Sequence, residues 1–223
     1  MIVWLRVGVG QVVSLDLVYR NMKHELLLLA VLPAMAQGQS LVSTSNQSRT
    51  VLLEDFTGIH CGYCPEGHAI AAALEAQHGP RIAVVGVHAG PYATPATGEP
   101  DFRTTPGTAI DSYFTISGYP AGVISRHLFN GADDLGRGAW EGAVNEMLAL
   151  PSPVNLGVAS AFDAGTRELT VTVELLYTAD SPAGEDFISV VLTENGIIGP
   201  QTDYGPSGNH TDYAHNHVLR TYI

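Results

Sequence analysis

Two cysteines, Cys61 and Cys64, are the residues whose type and spacing most directly suggest chemistry. Only two residues separate them, so a bond between them cannot join distant parts of a fold. This spacing favours thiol–disulfide exchange, or half of a metal site, over a structural disulfide framework. In such an exchange one thiolate attacks a disulfide, and the second thiol resolves the mixed disulfide that forms. We predict that Cys61 is the attacking thiol and Cys64 the resolving thiol.

A helix must position this pair. Residues 65–78 have the apolar spacing of a helix, and Gly79 and Pro80 end it. Unpaired backbone N–H groups and the dipole at a helix start favour negative charge, so we expect the Cys61 thiol to ionise near neutral pH. Cys64 lies one turn later on the same face, where it can complete the exchange.

Two further side chains near the pair are candidates for the site. Asp55 lies six residues before Cys61 and could accept the Cys64 proton through water; the alternative is a strand-end carboxylate that faces solvent. Glu54 alternates with Asp55, so only one of the two faces the site. His60, if protonated, would stabilise the thiolate, whereas an exposed imidazole without that role is equally compatible with the sequence.

Pro120 is the remaining candidate. It follows Tyr119 at the start of a predicted strand, and an X–Pro bond in such a place is often cis. In a thioredoxin fold this proline lies against the CxxC and leaves backbone groups free to pair with a substrate. The alternative is an ordinary trans proline at a strand edge.

The elements around these residues predict an α/β domain over residues 49–150. Strands over residues 50–53 and 82–87 flank the helix, and this β–α–β order implies parallel strands with a right-handed crossover. A helix is predicted over residues 135–150. Pro151 and Pro153 end it and indicate a domain boundary.

After this boundary the apolar pattern changes to alternation. Residues 154–158, 168–175, 187–193 and 218–223 read as short strands separated by turn-formers, which indicates a β-sandwich over residues 151–223. Such a sandwich usually takes about a hundred residues, so we expect this domain to be truncated.

The start of the chain predicts export. Residues 22–36 have a charged start, a short apolar run and small residues before a cleavage position, which is typical of a signal peptide within a signal region at residues 1–36. The apolar run is too short to span about 30 Å of hydrocarbon as an anchor. Residues 37–48 are polar and predict a flexible lead-in. Export implies an oxidising compartment: the periplasm, the outer membrane or the cell surface.

The net charge of the chain limits the classes of molecule that it can bind. Ten Lys and Arg against 22 Asp and Glu give a net charge of −12, which excludes nucleic acid as a partner because phosphate binding needs clustered basic residues. The partners predicted instead are protein thiols or disulfides, or a redox partner protein, together with association at the cell surface or outer membrane.

Three stretches of sequence resemble known proteins. Residues 51–65, VLLEDFTGIHCGYCP, resemble the strand–loop–CxxC–helix segment of thioredoxins. Together with SGYPAGVISR at residues 117–126 and HNHVLR at residues 215–220, they look like the outer-membrane-protein family named for a twenty-eight-kilodalton surface protein. The resemblance covers the chain from about residue 49 to its end.

The resemblance implies a fold and a set of site residues. It implies a thioredoxin-like domain followed by an immunoglobulin-like domain in an exported bacterial protein. It also implies that Cys61 and Cys64 are a redox pair and that Pro120 is the cis-proline. It does not supply a physiological substrate.

Three functional hypotheses follow. The first is a thiol–disulfide oxidoreductase or isomerase acting on exported proteins, with Cys61 as its nucleophile. The second is a surface binding protein that keeps the fold as a scaffold around a static disulfide. The third is a metal site formed by Cys61, Cys64 and His68, or by a second cluster around His210 and His215. A CxxC with one further ligand leaves a zinc site open, so we predict neither a metal nor a cofactor.

Overall fold

The structure is a computed structural model that describes residues 3–5, 12–20, 40–180 and 186–222. The chain divides into two compact units. The site unit comprises Arg49–Leu150 and Val190–Tyr222, and the flanking unit comprises Met1–Ser48 and Pro151–Ser189, together with the last residue. Each unit is described by itself below.

Strands predominate over helices in both units. The helices of the described residues are α1 (Cys64–His78), α2 (Thr105–Phe114) and α3 (Trp140–Ala149). The strands are, in chain order, β1 (Val3–Leu5), β2 (Val12–Arg20), β3 (Val51–Thr57), β4 (Ile82–His88), β5 (Ala121–Ile124), β6 (Asp134–Gly136), β7 (Val154–Asp163), β8 (Glu168–Tyr177), β9 (Asp186–Ile188), β10 (Val191–Glu194), β11 (Ile197–Gln201), β12 (His210–His215) and β13 (Val218–Tyr222).

A six-stranded mixed sheet forms the centre of the site unit, with strand order β10-β13-β4-β3-β5-β6. β3 and β4 pair in parallel from Val51↔Ile82 to Thr57↔His88, as the predicted β–α–β order requires. β5 runs antiparallel to β3 on its other side. A separate antiparallel pair, β11–β12, completes the strands of this unit.

Successive side chains of β3 point to opposite faces of the sheet and pack in two different hydrophobic clusters. Val51 and Leu53 pack with residues of α1 and α3 in one cluster. Leu52 and Phe56 pack with residues of α2 and β13 in the other. Since side chains of a strand alternate between the two faces, Asp55 belongs to the face that α1 covers.

The helix predicted over residues 135–150 begins later than expected. Asp134–Gly136 instead forms β6 at the edge of the sheet, and α3 starts at Trp140. Gly136 and Gly138 weaken a helix at this point because glycine has low helix propensity. The Trp140 indole N–H donates to the Leu135 carbonyl at 2.9 Å, which ties β6 to the start of α3.

The predicted extent of the second domain needs correction. Residues 190–222 were expected in a β-sandwich with residues 151–189, but they belong to the site unit. The reason is that β13 pairs with β4 and buries Val218 and Leu219 completely or almost completely. These apolar side chains find their core beside β4, and β10 then pairs with β13.

The flanking unit contains an antiparallel sheet of order β2-β8-β7 and a separate β1–β9 pair. Residues 40–48 of the predicted flexible lead-in are held against this sheet. The Asn155 side-chain amide donates to the carbonyls of Ser43 and Ser45, both at 2.7 Å, and the Glu174 carboxylate accepts from the Leu41 N–H at 2.7 Å. The immunoglobulin-like assignment of this unit stays a prediction.

The start of the chain differs from its prediction in one described segment. Residues 12–20, which fall in the predicted signal region at residues 1–36, form β2, with Ser14 and Asp16 exposed and Leu17 buried. This alternation is the pattern of a strand. The core of the predicted signal peptide, residues 22–36, lies outside the described residues. In the part of the chain that the structure describes, we find no helix with the length and apolarity to cross a membrane.

Candidate active site

Cys61 and Cys64 are joined by a disulfide, with 5.3 Å between their Cα atoms. The pair lies between β3 and α1. The helix begins at Cys64 itself, and Pro65 occupies its first turn, where a missing N–H costs little. Both cysteines are buried, Cys61 with 2 % of its surface exposed and Cys64 with none. The pair therefore lies at the start of a helix, as predicted, but both cysteines are buried.

A segment from the far end of the chain lies along the loop that carries the pair. We call residues 201–204 the covering segment. The Thr202 N–H donates to the Ile59 carbonyl at 2.8 Å, and the Tyr204 N–H donates to the Gly62 carbonyl at 2.9 Å. These bonds place an extended backbone along the CGYC loop. Sequence analysis missed this segment because it is about 140 residues away in the chain.

Gln201 anchors the covering segment. Its side chain is buried, and its amide donates to the carbonyl of Cys61 at 3.0 Å and to that of Gly58 at 3.2 Å. The two bonds that this amide donates hold the segment in place, while its Oε1 is buried without a hydrogen-bond partner within the described residues. They also reach the backbone of the predicted nucleophile directly.

Aromatic side chains surround the loop on its exposed side. The Tyr204 ring lies so close to Gly62 that a Cβ at position 62 would be 2.5 Å from it. Close approach of this ring therefore requires glycine at position 62. Tyr63 packs edge-on against Tyr204, with ring centroids 5.2 Å apart, and the Arg137 guanidinium lies 5.2 Å from the Tyr63 ring centroid. Tyr63 and Tyr204 remain more than half exposed.

Pro120 lies beside the first turns of α1, and its predicted contact with the CxxC stays a prediction. The Tyr119–Pro120 peptide bond is cis, and Pro120 is buried. A Cβ at Gly67 would lie 3.1 Å from the Pro120 ring, so this glycine permits the close contact. Tyr119 donates its hydroxyl to Asp111.

His60 has a specific partner other than the cysteines. Its Nε2 lies 2.9 Å from Glu99 Oε2, and its backbone N–H donates to the Tyr92 carbonyl at 2.9 Å. The imidazole is thus paired with a carboxylate in the loop between β4 and α2. Its predicted role in tuning Cys61 stays a prediction.

The side chains of Asp55 and Glu54 point to opposite faces of the sheet, as the alternation along a strand predicts. Glu54 faces the opposite side of the sheet, where it is buried and forms two hydrogen bonds with the Arg126 guanidinium, at 2.7 and 2.9 Å. Asp55 is also buried, on the α1 side, and within the described residues its Oδ1 has no hydrogen-bond partner. Burial raises the pKa of Asp55 from 3.8 to about 8. At neutral pH this carboxyl therefore holds a proton.

His68 is the nearest basic side chain to Asp55, with 3.9 Å between Nε2 and Oδ2. Its Nε2 also lies 2.8 Å from the Thr57 hydroxyl, and its Nδ1 lies 2.9 Å from the Tyr213 hydroxyl. Burial, together with repulsion from His215, lowers the pKa of His68 to about 4, so the imidazole is neutral. From the sequence, His68 was a candidate only as a metal ligand together with Cys61 and Cys64.

A cavity of about 240 Å³ adjoins this group. It is lined by residues of β3, α1 and β4 and by the chain from Tyr213 to His217. His88 and His215 both face it, and burial lowers the pKa of each below 6.5, which keeps both rings neutral. Among the described residues no group of three His, Cys, Asp or Glu side chains is arranged to hold a metal ion.

Comparisons with known proteins concern mainly the second half of the chain. Residues 107–223, more than half of its length, match the model of a family described as outer membrane protein Omp28. This region contains Pro120, the covering segment and Tyr213, and it begins after the CGYC loop. The comparison with curated proteins gives no match. Among solved structures, the crystal structure of a protein from Agrobacterium tumefaciens is similar at 13 % identity and a TM-score of 0.46, over 80 % of this chain and 73 % of that one.

Proposed function

We propose that this chain, which belongs to the Omp28 outer membrane protein family, is a thiol–disulfide oxidoreductase or isomerase that uses Cys61 and Cys64 on protein thiols. The observation that carries the proposal is the disulfide at the opening of α1, with Pro120 packed beside that helix and Asp55 buried on the face that it covers. Membership of the family supports an exported location, at the outer membrane or the cell surface.

The architecture of the site unit supports a thioredoxin-like fold. Its parallel β3–α1–β4 unit carries the cysteines where β3 leads into the helix. β5 follows the cis-proline directly and pairs with β3 on the other side. These elements bring together the residues that the chemistry needs, although they lie up to 65 positions apart in the chain.

The chemistry follows from the state of Asp55. A substrate thiolate attacks Cys61 Sγ, the Cys61–Cys64 bond breaks, and Cys64 leaves as a thiolate. The protonated Asp55 then supplies a proton to Cys64 through water. A second substrate thiolate displaces Cys61, so that the substrate gains a disulfide while the chain becomes a dithiol. The reverse sequence returns the proton to Asp55 and restores the disulfide.

The burial of both cysteines limits the access of a substrate to the disulfide. Because both cysteines are buried, a protein substrate reaches Cys61 only after the surrounding chain moves, and the covering segment, which is bonded to the CGYC loop, is our candidate for that movement. The exposed rings of Tyr63 and Tyr204 then border the opened loop and offer apolar contact to a bound polypeptide.

Burial also favours one other function, a binding protein with a static disulfide. Structural disulfides are inert when their sulfurs are inaccessible and when their reduction potential lies below about −300 mV. In that case the exposed tyrosines would be the binding surface and the disulfide would only stiffen the loop. The two proposals differ in whether Cys61 forms a bond with a partner.

A matched pair of variants tests the proposed function. The Cys64→Ser variant should accumulate a mixed disulfide between Cys61 and a substrate thiol, because the resolving step is lost. The Cys61→Ser variant should form none and should lose activity in insulin reduction and in the repair of scrambled ribonuclease. Equal activity of wild type and Cys61→Ser, with no mixed disulfide in Cys64→Ser, would support the static disulfide instead.

A further inference from the structure

We propose that His68, held between Thr57 and Tyr213, is a positioning residue that passes protons between the buried Asp55 carboxyl and the adjoining cavity during disulfide exchange. This inference rests on the redox function proposed for Cys61 and Cys64. It adds a path by which Asp55, which lies away from solvent, regains the proton that it gives to Cys64.

Contacts on both ring nitrogens fix the His68 imidazole. Nδ1 lies 2.9 Å from the Tyr213 hydroxyl, and Nε2 lies 2.8 Å from the Thr57 hydroxyl and 3.9 Å from Asp55 Oδ2. Thr57 is two residues beyond Asp55 on the same face of β3, and His68 is one turn beyond Cys64 in α1. The ring thus lies between the carboxyl and the β12 side of the cavity.

The protonation state of His68 allows its imidazole to relay protons. Burial raises the pKa of Tyr213, so its hydroxyl keeps its proton and can donate to Nδ1 of a neutral imidazole. In that tautomer the Nε2–H donates to the Thr57 hydroxyl, and Asp55 Oδ2 lies beyond hydrogen-bond distance at 3.9 Å. A neutral ring with one donor and one acceptor nitrogen can take a proton on one side and release one on the other.

Three residues that line the cavity carry buried polar atoms, and the cavity has room for water. Within the described residues, Asp55 Oδ1, His88 Nδ1 and His215 Nδ1 are buried without a hydrogen-bond partner, and all three residues line the cavity. A volume of about 240 Å³ accommodates several water molecules, since each occupies about 30 Å³ in the liquid. A chain of water in this cavity would run past Asp55, His88 and His215.

The cavity also reaches the protein surface. Glu75 and His217 line it and form an ion pair at 3.0 Å, with about a third of each side chain exposed. The ionisable groups that face His68 are therefore Asp55 from β3, His88 from β4, Tyr213 and His215 from β12, and this outer pair. These groups form a series that extends from the buried Asp55 carboxyl to solvent.

The relay step balances within the exchange. After Asp55 gives its proton to the departing Cys64 thiolate, the Nε2 proton of His68 passes to the Thr57 hydroxyl, which releases its own proton to Asp55. The Nδ1 of His68 takes a proton from Tyr213, which is replenished from cavity water. No electrons move in this step; the substrate thiolates supply the electrons that reduce the disulfide.

The test compares His68→Gln with wild type and uses His127→Gln, an exposed histidine in the loop after β5, as a matched control. The rate at which dithiothreitol reduces the Cys61–Cys64 disulfide is measured from pH 5 to pH 10 by quenching and alkylation. We expect His68→Gln to slow reduction about tenfold below pH 8, less than the roughly 100-fold that a group in direct contact contributes. Above pH 9 the rates should converge, because Asp55 has lost its proton.

A spectroscopic measurement keeps this test independent of activity. The ionisation of Asp55 is followed by carboxyl carbon NMR in the same proteins, where His68→Gln should shift its pKa and His127→Gln should not. Thr57→Val should slow reduction in the same pH range. Unchanged pH profiles and an unchanged Asp55 titration in His68→Gln would overturn the relay. If wild type itself resists reduction at every pH, the proposed redox function fails, whatever the Asp55 titration shows.

Discussion

The side-chain amide of Gln201 donates to the backbone carbonyl of Cys61 at 3.0 Å, across 140 positions of the chain. This bond joins the end of β11 to the loop that carries the predicted nucleophile. The disulfide that this loop carries is buried. The strength of this contact sets how readily the loop is uncovered.

Removing the Gln201 amide should therefore make the disulfide easier to reach. In Gln201→Ala two donated bonds to loop carbonyls are lost, which should lower the free energy of unfolding by about 1–3 kcal/mol. The rate of reduction by dithiothreitol should rise at the same time, measured by alkylation of the freed thiols. Gln77→Ala, at an exposed position of α1, is the control and should change neither quantity. A slower reduction in Gln201→Ala would contradict the covering role.

Gly62 and Tyr204 should be energetically coupled. A methyl group at position 62 would lie 2.5 Å from the Tyr204 ring, so Gly62→Ala must displace that ring at a cost of about 1 kcal/mol or more. In the background of Tyr204→Ala the same substitution should cost almost nothing. Urea unfolding of the two single variants and the double variant measures this coupling. Additive effects would show that the ring does not constrain position 62.

Much of this site could be predicted because it is local in sequence. β3, the CGYC loop and α1 follow one another, and a buried strand that leads into a CxxC and a helix is readable from composition and spacing alone. Sequence also singled out the Tyr119–Pro120 bond. It also favoured Asp55 over Glu54 as the carboxylate of the site, although alternation by itself fixes only that the two face opposite sides.

The rest depends on contacts between distant residues. Gln201 and Tyr213 reach the site from a hairpin that the sequence assigned to a second domain. Nothing in the apolar pattern of β13 shows that it pairs with β4 rather than with β8. The alternation of residues 12–20 is typical of a strand. These residues were assigned to the signal region because the signal-like segment at residues 22–36 follows them closely.

The buried carboxyl predicts a specific dependence of stability on pH. Between its ordinary pKa of 3.8 and the folded value of about 8, Asp55 holds a proton in the folded state that the unfolded chain has released. Its contribution is therefore complete below about pH 4 and is lost as the pH rises through about 8. His68, His88 and His215 act in the opposite direction, but only below their ordinary value of 6.5.

From pH 6.5 to pH 8 Asp55 thus sets the trend. The free energy of unfolding should fall by at most about 1.4 kcal/mol per pH unit in wild type, followed by urea unfolding at several pH values. Asp55→Asn should flatten this decline, whereas Asp212→Asn, at an exposed position, should leave it unchanged. A decline of the same slope in Asp55→Asn would show that another group is responsible.

The ion pair on the opposite face should contribute to stability rather than to chemistry. Arg126→Ala leaves the buried Glu54 carboxylate without its partner and should cost about 3 kcal/mol, the low end for such a loss because the arginine is partly exposed. Adding Glu54→Gln should recover part of this loss, and dithiothreitol should reduce the disulfide of Arg126→Ala at the wild-type rate. A large change in that rate would place this pair in the redox machinery.

The reduction potential of the Cys61–Cys64 disulfide tests the central claim most directly. It is obtained by equilibrating the folded protein with glutathione mixtures and trapping the thiols by alkylation, with Cys61→Ser as the blank. An exchange-active pair should fall between about −120 and −270 mV, the range of known thiol–disulfide exchange proteins. A value below about −300 mV, with no mixed disulfide formed by Cys64→Ser, would contradict the account and leave the disulfide a static part of the loop.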